Sequence, residues 1–252
     1  MCFCNFCFIY LYRPNIRKIM IDYCIVCAGG TGSRLGEITR SVNKHLLPIS
    51  TKPAISHVMD LAHRICNKVF VVTSPNYISP IAAQCTGAAF VAQRNPNGIV
   101  GAMMECEQFT QNSNIAVLLA DNLFDESCRN IITERSRSFQ SGAEIFAKKV
   151  ANPEDYGVVS IRNGKFYNVE EKPKIPSTDM AMTGAFLFDS SVWNFCKSLE
   201  CSQRGEYEIS DLVNCYGSGA GVNVNIIKGE WSDIGASIEQ YWKSTDKWRN
   251  IL

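Results

Sequence analysis

The sequence has almost no imbalance of charge: 25 lysines and arginines face 24 aspartates and glutamates in 252 residues, for a net charge of +1. That neutrality excludes the broad basic surface that attracts nucleic acid or an anionic membrane. No apolar run is long enough to span a bilayer. The longest, MCFCNFCFIYLY at the N-terminus, falls short of the roughly 20 residues a spanning helix needs. It also lacks the basic front and small-residue cleavage site of a secretory signal. Residues 1–19 therefore read as a dispensable extension before a catalytic domain at 20–252, with an added strand or a surface anchor as alternatives. No internal repeat and no low-complexity tract is present.

Paired cysteine spacing is also missing, although cysteine itself is not: there are 12. Cys2, Cys4 and Cys7 cluster, but no second pair downstream completes a zinc site. The others are scattered through apolar runs and read as buried free thiols, which places the chain in a reducing, cytoplasmic setting. An apolar fraction of 46% and a charged fraction of 19% are ordinary for a globular domain of this length.

Short apolar runs alternate with helical spacing. Strands are expected at Tyr23–Cys27, Lys68–Thr73, Ala88–Ala92, Ile115–Leu119 and Ala143–Lys148. Helices are expected at Ile55–Arg64, Ile78–Cys85, Ile99–Phe109 and Glu126–Phe139. This order predicts an α/β fold: a Rossmann-like, doubly wound, mostly parallel sheet with helices on both faces. The texture then changes. Tyr156–Ile161 and Phe166–Glu170 flank Asn163-Gly164 as a hairpin lobe. Strands at Ala181–Phe188 and Val222–Ile227 and a helix at Ser237–Trp248 follow. In open α/β sheets, ligands sit at the carboxyl ends of the strands.

The first strand runs into AGGTGSRL, where Gly29, Gly30 and Gly32 let backbone N–H groups approach a phosphate. Two familiar phosphate loops are absent. Leu35 stands where a dinucleotide fingerprint needs its third glycine, and no Gly-Lys-Ser/Thr ends the loop. Arg34 follows the glycines and Lys44 lies ten residues later. A guanidinium and an ammonium beside an amide cradle suit a triphosphate whose leaving pyrophosphate gains charge.

The run AGGTGSRLGEITRSVNKHLLPISTKP resembles the signature of the sugar-1-phosphate nucleotidylyltransferases, most closely the glucose-1-phosphate thymidylyltransferases, whose fold is also described as GT-A-like. Two departures stand out: Gly36-Glu37 replaces a usual Tyr-Pro, and His45 replaces a usual Gln near the nucleotide. The resemblance continues in order from about residue 21 to 237. It implies that Gln93 reads a pyrimidine base with Gly98 packed against it. Asp121 of Ala120-Asp121-Asn122 and Asp233 of Trp231-Ser232-Asp233-Ile234-Gly235 would hold Mg²⁺. Lys172 and Arg204 would pair with the phosphate of the sugar 1-phosphate, while Glu171 and the Gly157 backbone take its hydroxyls and Tyr156 packs beside the sugar. Met182 and Phe186 lie where the family lines its sugar pocket, though plain core packing accounts for both. Asp121 has an ordinary alternative as a helix cap, and Asp233 as a turn residue.

The resemblance implies transfer of a pyrimidine nucleotide from dTTP or UTP to glucose 1-phosphate, with release of pyrophosphate. N-acetylglucosamine 1-phosphate is the alternative sugar. Arg34, Lys44 and Lys172 are the expected catalytic cations, nucleic acid and membrane are not expected partners, and a homo-oligomer is left open. A non-catalytic, nucleotide-sugar-binding relative is the competing class; the retained charged residues argue against it. A glycosyltransferase is disfavoured because Asn122, not a second acid, follows Asp121. Only 19 residues follow Asp233, where longer relatives continue into an allosteric site, so product feedback at a second site is not expected.

Overall fold

The computed structural model describes residues 21–30 and 32–251. The expected extension at 1–19, with its cysteine cluster, and Thr31 of the glycine turn lie outside the described residues. Strand β1 (Tyr23–Cys27) opens the domain and alternates its side chains between two cores. Cys24 and Val26 face one, Ile25 and Cys27 the other. Ile25 and Val26 are both 0% exposed, and each such burial contributes about 1.5–3 kcal/mol.

The chain then makes 3-10 turns at Ser33–Thr39 and Lys44–Leu46 and a small hairpin, β2 (Pro48–Ile49) with β3 (Lys52–Pro53). Helix α1 (Ala54–Ile65) starts directly after Pro53, and its Ile55, Val58, Met59, Ala62 and Ile65 form a buried stripe at helical spacing. There follow β4 (Val69–Thr73), α2 (Ile78–Ala82), β5 (Ala88–Ala92), α3 (Gly98–Met104), α4 (Glu107–Thr110), β6 (Ile115–Leu119), β7 (Asn122–Phe124), α5 (Glu126–Ser138) and β8 (Ala143–Lys149). The late half adds β9 (Gly157–Arg162), β10 (Lys165–Glu171), β11 (Met180–Phe188), α6 (Val192–Ser198), α7 (Ile209–Ser218), β12 (Val222–Ile226), β13 (Trp231–Asp233) and α8 (Ile238–Trp248).

Strands β5-β4-β1-β6 lie side by side in parallel. Strand β11 adds antiparallel to β6 and carries β8 and the β9–β10 hairpin; β12 pairs in parallel with β8. The hairpin turns through Asn163 and Gly164, both at positive φ, as a two-residue type I′ connection requires. Helices α1 and α5 cover one face of the sheet, and α3, α6 and α7 the other. A third core forms where α8 packs Tyr241 and Trp248 on Leu35, Leu47 and Ile49, so the last helix buttresses the glycine loop from behind. Trp248 Nε1–H donates to Ser232 Oγ (3.0 Å), and the Tyr241 hydroxyl to the Pro48 carbonyl (3.1 Å).

Two expected helices are shorter than their periodicity suggests. The segment expected at Ile99–Phe109 breaks after Met104, where Cys106 N–H bonds the Met103 carbonyl in a tighter 3-10 turn (2.8 Å) and buries Cys106. The segment at Ile78–Cys85 ends at Ala82 and closes by the same kind of turn. Nine free cysteines are described, seven of them buried; burial pushes the Cys106 thiol up to about 12. Among the described residues no helix is long and apolar enough to cross a membrane.

Candidate active site

A cleft of about 440 Å³ opens at the carboxyl ends of β1 and β6. Every residue the sequence singles out lines it: Gly29, Gly30, Gly32, Arg34, Lys44, Gln93, Gly98, Asp121, Tyr156, Gly157, Glu171, Lys172, Arg204 and Asp233. Met182 and Phe186 line it too, while also belonging to the sheet core, so the core and pocket readings of those two coincide.

The glycine loop is close-packed rather than merely flexible. A methyl group on Gly29 would lie 2.2 Å from Gln93 Oε1, and one on Gly30 would lie 3.0 Å from Lys44 Nζ. Both glycines therefore let the backbone approach functional side chains. Thr39 Oγ1 donates to the Gly32 carbonyl (2.8 Å) and closes the loop. Gly36 kinks the 3-10 segment at φ 61, a conformation a side chain disfavours. Gln93 leaves the end of β5. Its Nε2 faces Asn97 Oδ1 and the Gly98 carbonyl, each at 3.2 Å, which leaves Oε1 as an acceptor toward Gly29.

At the carboxyl end of β6, Lys44 forms a largely buried ion pair with Asp121. Burial alone would lower the Lys44 pKa, but the Asp121 and Asp233 carboxylates hold it above its ordinary value. Burial would raise the Asp121 pKa, but the Lys44 ammonium beside it brings it well below the usual carboxylate range. Asp233 goes the other way: burial, then repulsion from Asp121, pushes it up to about 6. Two facing carboxylates with one ammonium between them leave one negative charge over, which a cation would neutralise. Mg²⁺ suits such a place, since it takes one or two carboxylates and completes its shell with water and phosphate oxygens. Among the described residues no cluster of three or more such side chains offers a metal a full protein shell.

The two aspartates meet through a feature the sequence reading missed. Strands β7 and β13 pair antiparallel, placing Asp233 opposite Asn122, and Ile234 N–H donates to the Asp121 carbonyl (3.0 Å). Asn122 binds the corner together. Its Nδ2 donates to Asp121 Oδ1 (3.0 Å), while its Oδ1 accepts from Trp231 Nε1–H (2.7 Å) and Gly184 N–H (2.9 Å). Gly184 lies in a register shift of β11, and a methyl there would meet Asn122 Cγ at 2.5 Å. Capping of α5 falls to Asp125, whose carboxylate accepts from Cys128 N–H (2.9 Å), so Asp121 is free of that duty. Asp233 does accept from Gly235 N–H (2.8 Å) and serves its turn as well as the cleft.

The hairpin lobe supplies the other end. Lys172 follows β10 at φ 44, left-handed for a residue with a side chain, and its N–H donates to the Tyr156 carbonyl (3.0 Å). Burial and then the nearby Arg34 lower the Lys172 pKa despite Glu171 at 3.8 Å. The cleft thus sets four cations, Arg34, Lys44, Lys172 and Arg204, among the carboxylates of its lining. Arg204 does not stand free: Glu208 Oε1 accepts from Nε (3.0 Å) and Oε2 from Nη2 (2.6 Å), and Glu171 approaches Nη2 at 3.3 Å. His45 is buried against Asn43, whose Oδ1 accepts from its N–H (2.9 Å) and lies 2.8 Å from Nδ1. Burial, then Lys44, pushes its pKa down to about 3, so the imidazole is neutral.

The chain is similar to known proteins along most of its length. The nucleotidyl transferase family profile matches residues 23–250. A glucose-1-phosphate thymidylyltransferase of Neisseria meningitidis is 33% identical over 222 residues, covering 84% of this chain and 77% of that protein. A solved structure from Bacillus anthracis, assigned as a glucose-1-phosphate thymidylyltransferase, superposes with TM-score 0.82 at 33% identity and covers 91% of this chain and 96% of that one. A UDP-glucose pyrophosphorylase bound to UDP-glucose shares the fold at 22% identity, TM-score 0.79, over 92% of this chain and 99% of that one. With its family profile matched from residue 23 to 250 and a relative 33% identical over most of both chains, this chain belongs to the nucleotidyl transferase family.

Proposed function

We propose that the chain transfers a nucleotidyl group from dTTP or UTP to glucose 1-phosphate and releases pyrophosphate. One observation carries the reading. A single cleft gathers Arg34, Lys44, Lys172 and Arg204 around the Asp121–Asp233 pair, with Gln93 on one side and Glu171 on the other. The reaction joins two anions, so its main need is charge neutralisation and alignment.

A phosphate oxygen of the sugar 1-phosphate attacks the α-phosphorus in line, and the bond from that phosphorus to the pyrophosphate oxygen breaks. Nucleophile and leaving group are both already anionic, so no general base is required. Lys44 and Arg34 take up charge developing on the pyrophosphate, and the glycine-loop amides cradle the triphosphate. Lys172 and Arg204 hold the sugar phosphate, Glu171 and the Gly157 backbone bind sugar hydroxyls, and Tyr156 packs beside the ring. Asp121 and Asp233 would hold Mg²⁺, which draws negative charge off the triphosphate when bound.

The free acceptor on Gln93 supports thymine or uracil. Both present an N3–H donor that can meet Oε1 while Nε2 is held by Asn97 and Gly98.

The test is pyrophosphate release with Mg²⁺, crossing dTTP, UTP, CTP, ATP and GTP against glucose, N-acetylglucosamine and galactose 1-phosphates. Turnover should appear with dTTP or UTP and glucose 1-phosphate and fall at least 10²-fold in Asp121→Asn, the scale of losing a transition-state charge contact. Turnover with N-acetylglucosamine 1-phosphate alone would reassign the sugar. Nucleotide binding without turnover in any combination would overturn the enzymatic reading.

A further inference from the structure

Arg204 lies on a tight turn, with Gly205 N–H bonded to the Ser202 carbonyl (2.8 Å) and Ser202 N–H to the Glu206 carbonyl (2.9 Å). Its side chain is 43% exposed. An exposed arginine on a turn samples many rotamers, and holding one orientation costs side-chain entropy. Glu208 supplies the restraint. It stands at the start of α7 in extended conformation, with its side chain only 10% exposed. It is fixed in its turn by the Ser202 hydroxyl, which donates to Oε1 (2.7 Å).

Glu208 grips one edge of the guanidinium, Nε and one Nη2 hydrogen, in the bidentate geometry that gives such pairs their directionality. Glu171 accepts from Nη2 as well (3.3 Å) and Glu206 stands 3.4 Å from it, so of five guanidinium donors the two on Nη1 remain as the free edge for a ligand, on a residue that lines the cleft. We propose that Glu208 is a positioning residue for the sugar-nucleotide reaction: its buried carboxylate aims the free edge of Arg204 at the phosphate of the sugar 1-phosphate. This rests on the proposed role of Arg204, and it adds a residue that touches neither substrate. The same pair explains why an arginine is needed. A lysine ammonium is a point charge and has no second edge to offer once Glu208 has engaged it.

The turn also meets the nucleotide end. Tyr207 N–H donates to the Asn97 carbonyl (2.8 Å), and Gly98 lies against the Tyr207 backbone. A substitution that merely loosened the turn would therefore disturb nucleotide binding as well. A loss confined to the sugar 1-phosphate separates the two causes.

The experiment measures KM for glucose 1-phosphate, KM for dTTP and kcat in Glu208→Gln, Glu208→Asp, Arg204→Ala and the Glu208→Gln/Arg204→Ala pair, with circular dichroism and melting to confirm folding. Glu208→Gln should raise the glucose 1-phosphate KM about tenfold and move the dTTP KM by less than twofold. Glu208→Asp, which keeps the charge but withdraws it by one methylene, should fall between. In the Arg204→Ala background the second substitution should add less than twofold, because it acts only through the arginine. Full additivity of the two, a parallel rise in both KM values, or wild-type KM in both Glu208 variants would overturn the proposal. An unchanged glucose 1-phosphate KM in Arg204→Ala would instead sink the assignment of Arg204 on which it stands.

Discussion

Gly235 offers the sharpest test of how tightly the reacting end is built. It lies outside the left-handed region, so a side chain there brings no backbone strain of its own. Its neighbours are the obstacle. A methyl would lie 2.5 Å from Asp121 Oδ2, 2.7 Å from Lys44 Nζ and 3.3 Å from Asp233 Oδ1, where ordinary contact begins at 3.4 Å. In Gly235→Ala the Asp121 oxygen must therefore retreat by about 0.9 Å and the ammonium by about 0.7 Å. Displacements near 1 Å at reacting groups lower rates by about 10²-fold. Overpacking of this kind destabilises by about 1–3 kcal/mol, which in a chain of this size lowers Tm by a few degrees, at about 2–4 °C per kcal/mol. The variant should be folded at assay temperature, with kcat for pyrophosphate release down about 100-fold and a raised Mg²⁺ requirement. Stopped assays at saturating substrate across a Mg²⁺ titration would show this. A folded Gly235→Ala enzyme with wild-type kcat and Mg²⁺ dependence would refute the placement of Lys44, Asp121 and Asp233 at the reacting phosphates.

Three further outcomes are expected. Gly98→Ala places a methyl 2.7 Å from the Tyr207 carbonyl at φ +95, so it should raise the dTTP KM by about tenfold and lower Tm, at a strain of about 1–3 kcal/mol; unchanged steady-state constants would contradict the close packing. His45 stays neutral when folded, its pKa at about 3, whereas the unfolded chain binds a proton near pH 6.5. Stability is thus lost as pH falls below 6.5, by about 2 kcal/mol at pH 5 from this group alone; melting curves at pH 7 and 5 should fall further apart in wild type than in His45→Gln, and parallel shifts would refute the neutral imidazole. Chelation with EDTA should stop turnover and excess Mg²⁺ restore it, with Asp233→Asn needing about tenfold more Mg²⁺; activity that persists in EDTA would remove the metal from the reaction.

The parallel half of the sheet was legible because β1, β4 and β6 are continuous apolar runs that bury both faces and end at turn residues. The glycine loop, Lys44 and Asp121 followed from the same ends. The ribbon of β7 and β13 was not legible. Each strand has three residues, too few for any periodicity, and the partners lie more than a hundred positions apart, yet this pairing is what brings Asp233 to Asp121. The holding roles of Asn122 and Glu208 escaped for a different reason. Their work is to hold another side chain, and a sequence names the held residue through its chemistry while the holder looks like any polar residue in a turn. The early ends of α2 and α3 are likewise tertiary effects, set by which cysteine or isoleucine the core accepts.

Lys172 carries a consequence for how such a chain can change. At φ 44 it occupies a conformation that glycine adopts freely and a lysine holds at about 1–2 kcal/mol. Lys172→Gly should therefore fold as well as or better than the parent while losing an ammonium from the cleft. Selection for thermal robustness alone would drift this position toward glycine. If turnover needs the ammonium, selection for turnover opposes that drift, and the two pressures meet at this one backbone conformation.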